Sequence, residues 1–266
     1  VVRSGHPPTY AVGMSGTPAS TSPRHRFYDD LARWWPLISP VDDYEGEAAE
    51  FGRVLATADR DVHDVLELGS GGGHNAFYLK RQFSLTLSDL SEGMLDVSRT
   101  RNPECVHVPG DMRTLRIDRD FDAVFIHDAI EYMTTEADLT AAIATAFVHC
   151  RPGGLALFVP DAISETFAPS TDWGGSDGAD GRGVRFMDWS FDPDPSDRQV
   201  HTEYAFVFRE PDGTIWHAAE SHVLGNFPRE TWLRLIAEAG FRAEAVTETT
   251  DEDRDPRVMF VGRRPR

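Results

Sequence analysis

The spacing of apolar positions changes rhythm twice along the chain. Phe27, Leu31, Trp34 and Trp35 recur at helical intervals and predict a helix over Arg24–Trp35, which Pro36 ends. A second helix is expected over Asp42–Ala58, with Asp42 and Asp43 at its positive end. Short apolar runs then alternate with helical stretches. His63–Leu68, Phe83–Ser88, Cys105–Val108, Phe121–Ile126 and Leu155–Pro160 read as strands. Asn75–Arg81, Glu92–Arg101 and Thr135–Cys150 read as the helices between them. That alternation argues for a parallel sheet with right-handed crossovers. Val124-Phe125-Ile126 shows no alternation, as expected of a strand covered on both faces.

Residues 161–198 break the rhythm with repeated glycines and the run Asp192-Pro193-Asp194-Pro195. A connection of this length is expected to be a functional lid or disordered. Gln199–Arg209 and Thr214–Leu224, joined by Pro211-Asp212-Gly213, predict a hairpin. A helix over Pro228–Ala239 is closed by Gly240, and strands near Ala243–Glu248 and Val258–Arg263 flank an acidic turn at 250–256. Residues 1–23 are rich in Pro, Gly, Ser and Thr and are expected to form a disordered tail.

Charge narrows the classes of partner. The 266 residues carry a formal net charge of −18 and suffice for one sizeable core. Phosphate-rich partners need clustered Lys and Arg, yet Lys80 is the only lysine and the arginines are scattered among acids. Nucleic acids and anionic membrane surfaces are therefore excluded as expected partners. Neither Cys105 nor Cys150 belongs to a CxxC or metal-ligand pattern, which suggests free thiols in a reducing, cytoplasmic setting. No apolar stretch is long enough to span a bilayer, and no signal segment is expected.

The chemistry-bearing segment is Val65-Leu66-Glu67-Leu68-Gly69-Ser70-Gly71-Gly72-Gly73. It places an acid at the end of an apolar strand, glycines at alternate positions and a helix start. The acid suits an ammonium group, and the unpaired amides of the helix start suit a carboxylate. The methionine end of S-adenosylmethionine carries both. The competing reading is a dinucleotide loop, G-x-G-x-x-G, but His74 stands at the third glycine position. Two further acids follow in order. Asp89 ends the second strand, where an acid accepts ribose hydroxyls, and Asp111-Met112 follows the third, where an acid beside an apolar residue suits adenine. Capping and turn roles are the alternatives for these two acids.

ELGSGGG, LSDLSEGML, GDM, FDAVFIHDAIEYM and RPGGLALFVP together resemble the ordered motifs of the class I S-adenosylmethionine-dependent methyltransferases, over about residues 42–160. The resemblance implies an α/β, Rossmann-like, seven-stranded sheet with its last strand antiparallel, an N-terminal helical cap over 24–60 and an insertion or lid after strand five. The chain from 24 to 266 then forms a single domain: the cap, a cofactor-binding half at 61–160, the insertion and hairpin at 161–225, and a C-terminal helix with strands at 226–266. Carried over by residue, Glu67, Gly69, Ser70, Gly71 and Gly73 line the methionine end of S-adenosylmethionine. Asp89 takes the ribose with Leu90 and Met94 nearby, Asp111 and Met112 flank adenine, and His127 contacts cofactor or substrate. The opening FYDDLARWW and the C-terminal HVLGNFPRETWLRLIAEAGF are similar to bacterial small-molecule methyltransferases of natural-product pathways, amino-sugar N-methyltransferases among them. By that resemblance Tyr28 and Tyr44 touch the cofactor. The insert VRFMDWSFDPDP departs from the amino-sugar enzymes, so their substrate does not carry over.

The catalytic candidates are His127, His222 and Tyr132. A base helps methyl transfer only if the nucleophile must lose a proton. His127 and Tyr132 follow the fourth strand, and His222 shares a strand face with Glu220. Asp128 and Glu131 read more readily as helix-start acids, and Arg185, Trp189 and Asp192 as lid residues. His127, Asp128, Asp161 and His222 lack the spacing of a metal site, so no metal is expected. The expected activity is methyl transfer from S-adenosylmethionine to an N or O atom of a small metabolite in secondary metabolism. A cofactor binder without transfer and an NAD-dependent reductase are the alternatives. The hairpin at 199–224 leaves room for a homodimer.

Overall fold

In the computed structural model, which describes residues 25–249 and 256–266, the alternating half becomes one mixed sheet. The tail expected over 1–23 and most of the acidic turn lie outside the described residues. A short helix α1 (Trp35–Ile38) and α2 (Glu45–Leu55) precede β1 (Asp64–Leu68), α3 (His74–Leu79), β2 (Ser84–Asp89), α4 (Glu92–Arg101) and β3 (Val106–Pro109). Then come β4 (Phe121–Ile126), α5 (Glu136–His149) and β5 (Cys150–Phe158). The insertion supplies β6 (Ser170–Gly174), β7 (Gly183–Phe191), β8 (Gln199–Arg209) and β9 (Ile215–Gly225). α6 (Arg229–Glu238), β10 (Arg242–Thr247) and β11 (Val258–Arg263) close the chain. The large sheet has seven strands in the order β10-β11-β5-β4-β1-β2-β3, and β11 runs antiparallel to both neighbours.

Burial explains the order. Every residue of β4 is buried, because helices cover both faces at the centre of the sheet. Leu66, Leu68, Val124, Ile126, Ala156 and Phe158 pack with residues of α5 and α6 on one face. Val65, Ala123, Phe125, Leu155 and Leu157 pack with α2 and α3 on the other. The strand order reverses between β1 and β4, which opens a crevice at their C-terminal ends.

The insertion is folded into a second, four-stranded antiparallel sheet, β6-β7-β8-β9. The hairpin is there, with two strands added from the segment expected to be a lid or disordered. Val184, Phe206 and Phe208 on its inner face pack against Phe27, Leu31 and Trp34. Its outer face carries Trp173, Met187, Trp189 and Val207, all exposed. Because apolar side chains occupy both faces, the period-2 signal of β7 is absent from the sequence. β8 is bonded on both sides, by β7 and β9, and β9 stands at the edge of the sheet.

The N-terminal segment also differs from expectation. Turns and a single 3-10 turn at Ala32–Trp34 replace the long helix, and Pro36 sits inside the first turn of α1 instead of ending a helix. A first-turn N–H has no helical partner, so proline costs nothing there. Another 3-10 turn, Val41–Tyr44, leads into α2. Among the described residues no helix is long and apolar enough to cross a membrane, and Cys105 and Cys150 are unpaired.

Candidate functional site

A cavity of about 740 Å³ opens at the crevice. Glu67, Gly69, Ser70 and Gly71 line it from the β1 loop, and Asp89, Leu90 and Met94 from the β2 side. Asp111 and Met112 follow β3, Asp128 and Tyr132 follow β4, and Tyr28 and Tyr44 descend from the cap. Folding thus brings nearly all the expected cofactor residues to one wall-to-wall space.

Two of the expected residues stand outside it. Gly73 adopts φ +70, and a Cβ there would collide with Ser98 and Asn102. Its role is to let α4 pack close beneath the loop, not to face a ligand. His127 is buried beside the cavity, with Nε2 2.8 Å from both Asp128 Oδ1 and Arg257 Nη1. Burial disfavours its charge, but Asp128 and Glu47 outweigh burial and raise its pKa to about 9. His127 thus stands in a charge network with Asp128, Glu47 and Arg257 rather than on the cavity wall.

The loop itself is shaped for a ligand. Gly69 has φ +72, and any side chain there would meet Ala129 and Met112. Asp89 is fixed by two backbone donors: Gly71 N–H reaches Oδ2 at 2.8 Å and Ser91 N–H reaches Oδ1 at 2.8 Å. Asp111 is less free than expected. Burial pushes its pKa up, but the hydrogen bonds from Arg113 win and hold it low. Arg113 in turn reaches Asp138 at 2.8 Å.

Glu67 is the electrostatic signature of the site. It is 3% exposed, and its Oε2 has no partner, as is also true of the buried Ser70 Oγ and Asn75 Oδ1. Burial raises its pKa to about 8, against a smaller opposing pull from His127. An unpaired carboxyl group, in a cavity wall that also carries the unpaired oxygens of Ser70 and Asn75, fits the ammonium end of an amino acid. The linkage has a definite sign. A raised folded pKa gives stability present below about pH 4.5 and lost as pH rises through about 8. Glu67→Gln is therefore expected to raise the stability of the ligand-free protein at pH 8 by a few kcal/mol and to flatten its pH dependence. Urea unfolding at pH 5 and pH 8 checks this, and equal pH dependence in both proteins would refute it.

His74, at the third glycine position, packs within the fold. It is buried and carries the cap: Nε2 donates to Ser39 O at 2.9 Å, and Trp35 Nε1 donates to Nδ1 at 3.2 Å. Burial, then the charge of Arg101, lowers its pKa to about 3, so it serves as a neutral bridge.

Opposite the β1 loop lies a chain of side chains drawn from three distant segments. Tyr28 OH is 2.8 Å from Tyr132 OH, and Tyr132 OH is 2.6 Å from His222 Nδ1. His222 Nε2 is 3.2 Å from Glu220 Oε1, and His25 Nδ1 is 3.1 Å from that same oxygen. Tyr28, Tyr132, Glu220 and His25 line the cavity. His222 is fully buried and does not, which corrects the expectation that it meets the substrate directly. Burial, and then His25, lowers its pKa to about 3, so it is neutral.

Of the remaining candidates, Asp128 starts the 3-10 turn that carries Tyr132, and Glu131 is buried with Oε1 accepting from Ala162 N. Arg185 pairs with Asp177 on the exposed face of the small sheet, and Trp189 stacks near Phe191, so neither forms part of a lid over the cavity. Asp192 bonds within its own turn. The four residues weighed for a metal fall into two places: His127, Asp128 and Asp161 stand together, and His222 stands with His25 and Glu220. Sequence reasoning missed His25, Trp35, His74, Asn75 and Arg257. Only His74 carried a signal, as the odd residue in a glycine motif.

Residues 65–154 match a family described as a methyltransferase domain. The chain is 28% identical over 236 residues to the dTDP-3-amino-3,6-dideoxy-α-D-glucopyranose N,N-dimethyltransferase of Streptomyces fradiae, covering 87% of this chain and 91% of the relative. The crystal structure of DesVI from Streptomyces venezuelae superposes with a TM-score of 0.72 at 27% identity, over 84% of this chain and 92% of that one. The sugar N-methyltransferase KedS8 from Streptoalloteichus shares the fold over 97% of this chain and 100% of its own, with a TM-score of 0.77 at 23% identity.

Proposed function

We propose that this chain acts as a class I S-adenosylmethionine-dependent methyltransferase and that it methylates the amino nitrogen of an amino-sugar-like metabolite in secondary metabolism. The observation that carries this reading is the single cavity that joins the unpaired Glu67 carboxylate and the fixed Asp89 to the Tyr28–Tyr132 pair. Glu67 would hold the ammonium of S-adenosylmethionine, and Asp89 its ribose. Met112, on the floor against Gly69, would cover the adenine. When bound, S-adenosylmethionine supplies an electrophilic methyl group, and the sulfur keeps the electron pair of the bond that breaks.

The chain's own residues position and desolvate the acceptor. The cavity wall carries Asp29, Asp128, Asp138 and Glu220 against Arg26 and Arg113, an acidic balance that suits a cationic or polar amine. Tyr28 and Tyr132 present hydroxyls to it, and the cap segment that bears Tyr28 shields it from water. We place the protein in the cytoplasm, where Cys105 and Cys150 stay reduced.

Calorimetric titration with S-adenosylhomocysteine, NADH and NADPH tests the cofactor assignment. Micromolar binding of the first alone is expected, and binding of a nicotinamide nucleotide in its place would overturn it. Incubation with S-adenosylmethionine and dTDP-3-amino-3,6-dideoxy-α-D-glucopyranose, followed by mass spectrometry, tests the amine assignment. A methylated amine is expected. Methylation confined to oxygen acceptors would refute it.

A further inference from the structure

The part-buried chain Tyr28–Tyr132–His222–Glu220 has only one consistent direction, and it starts from the carboxylate. Glu220 can only accept. Its Oε2 takes the backbone N–H of Phe27 at 2.9 Å, and its Oε1 faces two imidazole nitrogens, His222 Nε2 at 3.2 Å and His25 Nδ1 at 3.1 Å. Both of those nitrogens must therefore carry hydrogen. A neutral His222 protonated on Nε2 has a bare Nδ1, so Tyr132 must donate to it across 2.6 Å. With its one hydrogen committed, Tyr132 can only accept from Tyr28 across 2.8 Å. Tyr28 has then spent its hydrogen as well. Both tyrosine oxygens are left with lone pairs and no hydrogen for whatever stands in the cavity.

We propose that Glu220 is a specificity-determining residue, which fixes the direction of this hydrogen-bond chain so that the tyrosine oxygens recognise an acceptor bearing N–H and turn away carboxylate oxygens. The inference rests on the amine-methylation reading and deepens it. An acceptor amine donates to a tyrosine oxygen, which orients the nitrogen and leaves its lone pair free to attack. A carboxylate has no hydrogen to donate and would set its charge against two oxygen lone pairs beside Glu220 and Asp128. A neutral His222 with a pKa near 3 supports this direction and gives it little power as a base. Close ring packing buries it: the His25 ring lies 4.1 Å away between centroids, and Tyr204 4.8 Å. Glu220 is thus a positioning residue, acting through His222 and Tyr132.

Glu220→Gln separates direction from shape. The Phe27 N–H requires an oxygen, so the amide oxygen goes there and the amide nitrogen faces both imidazoles. His222 must then accept at Nε2 and carry hydrogen on Nδ1, and the chain reverses, turning a tyrosine hydroxyl hydrogen toward the cavity. Imidazole nitrogen NMR of the S-adenosylhomocysteine complex reads this directly. The expected result is Nε2–H on His222 in the wild type and Nδ1–H in Glu220→Gln. With dTDP-3-amino-3,6-dideoxy-α-D-glucopyranose as acceptor, kcat/KM is expected to fall at least tenfold in the variant, with S-adenosylhomocysteine affinity unchanged; trans-aconitate is expected to be refused by the wild type. Nδ1–H in the wild type, or a variant with wild-type kcat/KM for the amine, would overturn the proposal and leave the methyltransferase reading standing. Loss of the amine reading would show separately, as a wild type that binds S-adenosylhomocysteine and methylates trans-aconitate but not the amine.

Discussion

Tyr132→Phe is expected to lower kcat/KM for the amine acceptor by about a hundredfold while S-adenosylhomocysteine binds as in the wild type. Tyr132 lines the cavity, and its hydroxyl touches both His222 and Tyr28. Its loss removes the oxygen facing the acceptor, strands the Tyr28 hydroxyl and leaves His222 Nδ1 without a donor. The ring volume is kept, so the fold is expected to persist. A misplacement of the acceptor by about 1 Å is enough for an effect of this size. Burial raises the Tyr132 pKa well above its ordinary value, so the hydroxyl remains protonated and the effect is expected to be flat across pH 6–9. Steady-state kinetics with both substrates varied, beside calorimetry, checks this. Wild-type kcat/KM would remove Tyr132 from the acceptor site, and a matching loss of S-adenosylhomocysteine affinity would make it a cofactor residue instead.

Arg257→Met is expected to destabilise the folded protein by about 3–5 kcal/mol, the effect of removing one partner from a buried charge network. The Arg257 side chain is 9% exposed. Its Nη2 reaches Glu47 at 2.6 Å and Glu248 at 3.1 Å, and its Nη1 reaches Asp161 at 3.1 Å. The guanidinium therefore pins α2, the end of β5 and the turn before β11 to one point beside His127. Methionine fills much of the volume and supplies no charge, so buried carboxylates remain facing one another. Urea unfolding with linear extrapolation measures the difference. A loss under about 1 kcal/mol would mean that water screens the network. The two substitutions act on different quantities, turnover for Tyr132 and stability for Arg257, so each controls for the other.

Elements whose signal is local were legible. Phe121–Ile126, Glu92–Arg101, Gln199–Arg209 and Val258–Arg263 coincide with β4, α4, β8 and β11. Period 2, period 3.6 or a fully apolar run marks each of them. The cofactor wall was legible too, because a strand end, a tight turn and a helix start are sequential, and Glu67, Asp89 and Asp111 each sit one strand further along. β6 and β7 were not: β6 has one apolar side chain, Trp173, to mark it, and apolar residues on both faces of β7 erase its alternation. The helix expected over Arg24–Trp35 failed for a related reason. Phe27, Leu31 and Trp34 do share a buried surface, but Val184, Phe206 and Phe208 provide it, and turns place the rings there as well as a helix would.

The sheet, the order of its acids and the kind of ligand those acids suit are set locally, because backbone geometry and strand-end position follow from neighbours a few residues apart. The chemistry on the far side of the cavity comes from long-range contacts. Tyr28 and Tyr132 are 104 positions apart, Tyr132 and His222 are 90, and His25 and Glu220 are 195. Hydrogen-bond direction across such separations depends on which nitrogen meets a carboxylate and which meets a hydroxyl, and distances in space settle that where spacing along a chain does not. The same holds for His127, whose neighbour Arg257 lies 130 positions away along the chain.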